Sequence, residues 1–213
     1  MFAGLWPAAG FFPPHLPTAS ATEIAAIYQQ NANGIRVGTI LIMISGALYL
    51  PFTAAITAQM RRIETRVTPV LSYTQFAAGA ATSLLFIIPA LIWSVAAFRP
   101  DRNPEITQAL NDIGWFFFVM PFILGFTQNL ALGFAIISDI NKRPVFPRWV
   151  GFFNFWIALL FVPGCLLTFF KTGPFAWNGL IAFWVPACIF GPWFFIVSIY
   201  VMKAAKQQAL ESR

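Results

Sequence analysis

LSYTQFAAGAATSLLFIIPALIWSVAAF, from Leu71 to Phe98, contains no Asp, Glu, Lys, Arg or His. It is longer than the roughly 20 residues a helix needs to cross a hydrocarbon core. Backbone in lipid must satisfy its own hydrogen bonds, so an apolar run of this length reads as a membrane-spanning helix. Arg61, Arg62 and Arg66 stand before it, and Arg99 and Arg102 follow it. Working outward, four more such runs appear at Val37 to Met60, Ile113 to Ile140, Trp149 to Phe170 and Trp177 to Met202. The expected fold class is therefore all-α: a polytopic membrane helix bundle of five transmembrane helices, forming a single integral membrane domain over residues 1–213.

Composition agrees with this. Of 213 residues, 59% are hydrophobic and 9% charged, far below the roughly 25% charged content of a soluble domain. The net charge of +6 is unevenly shared. Arg61, Arg62, Arg66, Lys142, Arg143, Arg148, Lys203, Lys206 and Arg213 fall on one side against Glu64, Asp139 and Glu211. Arg36, Arg99, Arg102 and Lys171 fall on the other against Glu23, Asp101, Glu105 and Asp112. The positive-inside rule then puts the N-terminus outside and the tail 203–213 in the cytoplasm. Such an excess suits anionic headgroups. No basic-aromatic surface accompanies it, so nucleic acid is not an expected partner.

Residues 1–36 read as an extracytoplasmic strap and a short helix. No basic segment precedes the apolar lead, so a cleaved signal peptide is not expected. Trp6, Phe11 and Phe12 are expected to anchor the strap at the interface, with His15 in its Pro-rich part solvated. Ser20-Ala-Thr-Glu23 is a capping box that opens a helix to about Gln30, with Ile24, Ile27 and Tyr28 on its docking face. Asn103-Pro104-Glu105 begins a second short amphipathic helix outside the membrane. Connections are short, so consecutive spans are expected as antiparallel neighbours. Pro51, Pro89, Pro121, Pro163, Pro186 and Pro192 put at least one proline in every span, where each removes a backbone donor and favours a kink. Trp93, Trp115, Trp177 and Trp149 fall near span ends, where interfacial belts form. Cys165 and Cys188 are expected as buried spectator thiols.

The intramembrane polar residues are the candidates for function. Gly125, Asn129 and Gly133 share one helix face and form a small-polar-small seam, with Asn129 expected to bond to another span. Alternatively, Gln128 and Asn129 form the polar end of a pocket for an apolar ligand. Tyr49, Thr53, Thr82 and Ser83 lie at comparable depth, and Asn154 and Trp156 lie further along. The candidate ligand-binding set is Tyr49, Gln128, Asn129, Asn154 and Trp156. No catalytic, cofactor-binding or metal-ligating residue is expected, and no cofactor. One histidine in a strap cannot furnish paired haem ligation or a multi-histidine metal centre. A span lysine for a retinal Schiff base is missing, a Ser-His-Asp triad has no histidine within the spans, and Asp139 sits beside Lys142 and Arg143 as a locally compensated charge.

Pro147-Arg-Trp-Val-Gly-Phe-Phe-Asn-Phe-Trp156 and Lys171-Thr-Gly-Pro-Phe-Ala-Trp-Asn-Gly179 resemble a family of uncharacterised multi-pass bacterial inner-membrane proteins, and the likeness extends along the chain. The resemblance implies a bacterial cytoplasmic (inner) membrane and carries no activity. The expected function is a non-catalytic accessory or structural subunit, whose partners are membrane lipids and either other integral membrane subunits or further copies of the chain. The alternative is a protein that binds or transports a small hydrophobic compound, a lipid, sterol-like molecule, isoprenoid or pigment, through the mid-membrane polar layer.

Overall fold

A computed structural model describes residue 1 and residues 3–65 and 68–211; Arg66 and Arg213, two of the charges used above to orient the chain, lie outside the described residues. The fold is all-helical, with no strand among the described residues. Five helical stretches are long and apolar enough to cross a membrane: Ala32–Met60, Val70–Phe98, Pro104–Ile137, Arg148–Phe169 and Leu180–Glu211. The described residues form seven α-helices. They are α1 (Ala21–Gln30), α2 (Ala32–Met60), α3 (Val70–Phe98), α4 (Pro104–Val119), α5 (Phe122–Ile137), α6 (Arg148–Phe161) and α7 (Val185–Glu211).

The prolines divide into two groups. Pro51, Pro89 and Pro192 are carried inside α2, α3 and α7. At the other three the helix changes character. Pro121 separates α4 from α5, Pro163 opens a 3-10 segment over Val162–Phe169, and Pro186 follows a π-helical turn at Leu180–Trp184. The missing amide of proline relaxes the ladder at those points.

Asn103 caps a helix as expected, its side chain accepting the Glu105 amide at 2.9 Å. That helix does not stop as a short surface element, however. Thr107, Asn111, Gly114 and Trp115 form one buried face, and α4 continues to Val119. The third span accordingly begins at Pro104 rather than Ile113. The first span likewise starts five residues early, at Ala32. Its Arg36 is tolerated there because the guanidinium donates to Asn33 Oδ1 and the Ala97 carbonyl, both at 2.9 Å.

The described chain forms two compact units. The first comprises Met1–Leu48, Ser83–Phe122 and Pro163–Trp184. Its organiser is the strap, whose Leu5, Ala9 and Phe11 enter the core. The strap rests on α2 at Gly34 and Gly38, where a Cβ on Gly38 would lie 2.5 Å from the Gly4 carbonyl and 2.7 Å from Ala9 Cβ. Such a small-xxx-small pair lets backbones approach closely. Asn31 fixes the crossing by donating to the Ala9 carbonyl at 3.0 Å. Phe11 is fully buried, with ring centroids of His15, Trp93 and Tyr28 at 4.7, 5.0 and 5.9 Å. Trp6 alone of the strap's expected anchors is well exposed, at 66%. The capping box forms: the Ser20 amide donates to Glu23 Oε2 at 2.7 Å and the Glu23 amide to Ser20 Oγ at 3.3 Å. It lowers the Glu23 pKa through the Ser20 backbone and side-chain bonds. Helix α1 then packs on α4, burying Ile24 and Tyr28.

This packing overturns the interfacial reading of three tryptophans. Trp93, Trp115 and Trp177 are buried, because the strap and the turn before Leu180 cover them. Trp177 donates to the His15 carbonyl at 2.8 Å, and the turn that positions it uses Gly173 at φ +80°, a conformation that glycine adopts without penalty. Trp149 is exposed as expected.

The second unit comprises Tyr49–Thr82, Ile123–Val162 and Val185–Arg213. Helices α5 and α6 meet along the glycine seam. A Cβ on Gly133 would lie 2.5 Å from the Phe155 ring and 3.1 Å from the Gly151 carbonyl. Helix α7 packs on α6. Glu64 caps α3, accepting the Leu71 and Ser72 amides at 3.1 and 2.8 Å, where the helix dipole favours a carboxylate. Arg62 donates to the Ala204 carbonyl at 3.0 Å and pairs with Glu211 at 2.9 Å. Asp139 accepts the Asn141 and Val145 amides at 2.9 and 2.8 Å and forms no ion pair among the described residues. Both cysteines are free, and Cys188 is exposed rather than buried.

The strap crossing gives a direct test. Gly38→Ala is expected to destabilise the protein by ~1–3 kcal/mol, the usual cost of overpacking. Gly191→Ala, whose added methyl meets nothing within 4 Å, should be neutral or slightly stabilising. Thermal unfolding in detergent reads the difference, and equal behaviour of the two variants contradicts the crossing.

Candidate functional site

A buried polar side chain in lipid has no water to fall back on, so its partners decide what it can do. In the second unit α2, α3 and α5 each contribute such groups, and they find one another. Tyr49 donates to Gln128 Oε1 at 2.8 Å, and the Gln128 amide reaches Thr53 Oγ1 at 3.5 Å. Gln75 donates to Thr53 Oγ1 at 2.9 Å and accepts from the Thr57 hydroxyl at 2.5 Å. Gly79 makes the crossing possible: a Cβ there would lie 1.9 Å from Thr53 Oγ1 and 2.8 Å from Gln128 Nε2. The result is a polar chain across three helices, with Tyr49, Thr53, Gln75 and Gln128 all buried.

Tyr49 and Gln128, both expected site residues, are thus brought together. Asn154 belongs to a second node. It donates to the Val150 carbonyl of its own helix at 2.7 Å and accepts the Trp193 indole N–H at 2.9 Å. Aromatic rings link the two nodes. Phe52 lies 5.6 Å from Tyr49 and 5.8 Å from Trp193, and Phe190 lies 6.5 and 5.7 Å from the same pair.

Asn129 differs from its expected role. Its amide donates to the Gly125 carbonyl of its own helix at 2.8 Å, not to another span. Its Oδ1 is buried with no hydrogen-bond partner among the described residues. Trp156 joins neither node and is 63% exposed. Thr82 bonds back to the Ala78 carbonyl of its own helix at 2.8 Å and is likewise outside the chain. Gln75 and Thr57 were not anticipated, although a glutamine inside an otherwise apolar span is itself the signal that would have found Gln75.

The first unit holds its own polar cluster. Asn111 Oδ1 accepts from Tyr28 at 3.2 Å and lies 3.1 Å from His15 Nδ1, while its carbonyl receives the Trp93 indole at 3.4 Å. His15 is 8% exposed, which corrects its expected solvation: the strap turns inward at Phe11 and carries it in. With Nδ1–H donating to Asn111, Nε2 is the free acceptor of a neutral ring. Nε2 has no partner among the described residues, nor does the Trp115 indole N–H. Burial lowers the His15 pKa, opposed by the smaller effect of the Asn111 bond. Burial also raises the Tyr28 pKa, helped by the charge of Asp112. In both clusters these contacts are hydrogen bonds among neutral side chains and main-chain carbonyls.

No family model, curated protein or solved structure matches the chain.

Two expectations follow. Gln128→Leu removes the acceptor of the Tyr49 hydroxyl in a buried setting and should cost ~1–3 kcal/mol. Adding Tyr49→Phe should recover part of that loss, and strict additivity in the double-mutant cycle would contradict the pairing. His15 gives a pH dependence. Its folded pKa lies below the unfolded value of about 6.5, so below that pH the unfolded chain takes up a proton that the folded chain refuses, and stability falls. The unfolding midpoint should therefore drop as pH is lowered through about 6.5, and the slope attributable to this group should vanish in His15→Phe.

Proposed function

We propose that the chain is a non-catalytic integral membrane protein that acts as an accessory or structural subunit, packing against other membrane proteins or copies of itself. One observation carries this reading most: the polar chain Tyr49–Gln128–Thr53–Gln75–Thr57 satisfies itself across α2, α3 and α5. Polar groups engaged in this way tie helices together and fix their register. Broad apolar faces remain for lipid or protein, as with Val37, Ile40, Ile44 and Leu48 along α2. In this reading the N-terminus is outside and the tail after α7 is cytoplasmic, following the distribution of Lys and Arg. The membrane is a bacterial inner membrane, as the resemblance of residues 147–156 and 171–179 implies.

A second reading, binding of a small apolar compound, draws on Asn129. Its buried, unpartnered Oδ1 is an acceptor that a ligand hydroxyl would satisfy.

Native mass spectrometry of particles extracted in mild detergent distinguishes the two. A larger assembly, homo- or hetero-oligomeric, is expected. A monomer without co-purifying chains would remove the subunit reading. A discrete apolar molecule retained by wild type and lost in a folded Asn129→Leu variant would put the second reading in its place.

A further inference from the structure

We propose that the turn after α3 binds the headgroup of a zwitterionic aminophospholipid of the phosphatidylethanolamine class. A groove of about 730 Å³ opens there, lined by Phe98, Arg99, Pro100, Asp101, Arg102 and Ile106. All six residues belong to the first unit. The groove sits at the end of the span Val70–Phe98, at headgroup depth for a helix of that length.

Its charges are available. Neither Arg99 nor Arg102 forms an ion pair among the described residues. Arg102 donates one N–H to the Val95 carbonyl at 3.3 Å, which steadies the guanidinium and leaves its other donors open. Arg36 does not compete for a ligand, because it is engaged by Asn33 and by the Ala97 carbonyl at 2.9 Å. Two guanidiniums with one carboxylate, Asp101, complement a phosphodiester joined to a primary ammonium. The planar guanidinium fork suits phosphate oxygens, and the ammonium supplies N–H donors to the carboxylate. Phosphatidylglycerol offers the guanidiniums the same phosphodiester but no ammonium N–H for Asp101. Phosphatidylcholine would offer a quaternary ammonium without an N–H.

The hydrocarbon side fits as well. Phe98, 70% exposed, continues into exposed Val95 and Leu91, spaced by three and four residues along one face of α3. Phe98 to Leu91 is about 10 Å of helix, within the ~15 Å half-thickness of a hydrocarbon core. An acyl chain whose headgroup occupies the groove would lie along this stripe.

The test reconstitutes the full chain into nanodiscs of equimolar phosphatidylethanolamine, phosphatidylglycerol and phosphatidylcholine, then counts retained lipids by native mass spectrometry after mild delipidation. Wild type is expected to retain phosphatidylethanolamine over the others by about fivefold, the scale of one exposed ion pair. Asp101→Asn should lose that preference while still retaining phosphatidylglycerol. Arg99→Gln combined with Arg102→Gln should lose both lipids. Circular dichroism and thermal unfolding confirm that these surface variants stay folded. Equal retention of all three lipids by wild type, an unchanged preference in Asp101→Asn, or undiminished retention in the double arginine variant would each overturn the assignment.

Discussion

Within a hydrocarbon core, every donor and acceptor must find its partner in the protein, and this requirement shapes both units. Backbone groups meet it through helix formation, but side chains do not meet it automatically. The second unit solves the problem with a relay of short polar contacts through Thr53, to which both Gln75 and Gln128 donate. Glycines open the space. Gly79 admits the threonine and glutamine side chains, and Gly133 with Gly151 brings α5 against α6. Apolar attraction contributes little to helix association in lipid, so close packing and interhelical hydrogen bonds carry the specificity.

The first unit meets the same demand with indoles and main-chain carbonyls. Trp93 and Trp177 each give their N–H to a carbonyl, of Asn111 and His15 respectively. Asn111 serves the cluster twice, through its side chain and its backbone. An aromatic core of this kind is stiff, since each ring has few torsions and the T-shaped contact of Phe11 with Trp93 fixes relative orientation. The unpartnered Nε2 of His15, N–H of Trp115 and Nε of Arg36 are exceptions, and the first two lie in one aromatic cluster with ring centroids 6.2 Å apart.

Much of the helix content was legible because its cause is local. An apolar run such as Leu71 to Phe98 has few alternatives in lipid, and the capping signals at Ser20 and Asn103 are written in adjacent residues. The meeting of Tyr49 with Gln128 was anticipated from depth alone. Asn129 and Trp156 show the limit of that argument: depth does not say which way a side chain faces when almost every neighbour is apolar. Asn129 turned to its own helix, and Trp156 faces outward. The larger misreading concerned the strap. Trp93, Trp115 and Trp177 carry the composition of an interfacial belt, and only the long-range fold of residues 4–15 reveals that something covers them. The Gly34-x-x-x-Gly38 pair was the available hint, but such a pair does not identify its own partner.

That covering has a consequence for how the chain is made. His15 and Trp177 are 162 positions apart, so the strap leaves the ribosome long before the indole that will bond to its carbonyl. At about 5–20 residues per second, the interval is on the order of ten seconds. Throughout it Phe11 and Leu5 lack the finished aromatic surface on which they will rest, while Gly34 and Gly38 emerge only a few seconds behind them. The glycine crossing is the contact whose two sides are both synthesised early, so it is open to this apolar segment before the rest of its enclosure exists.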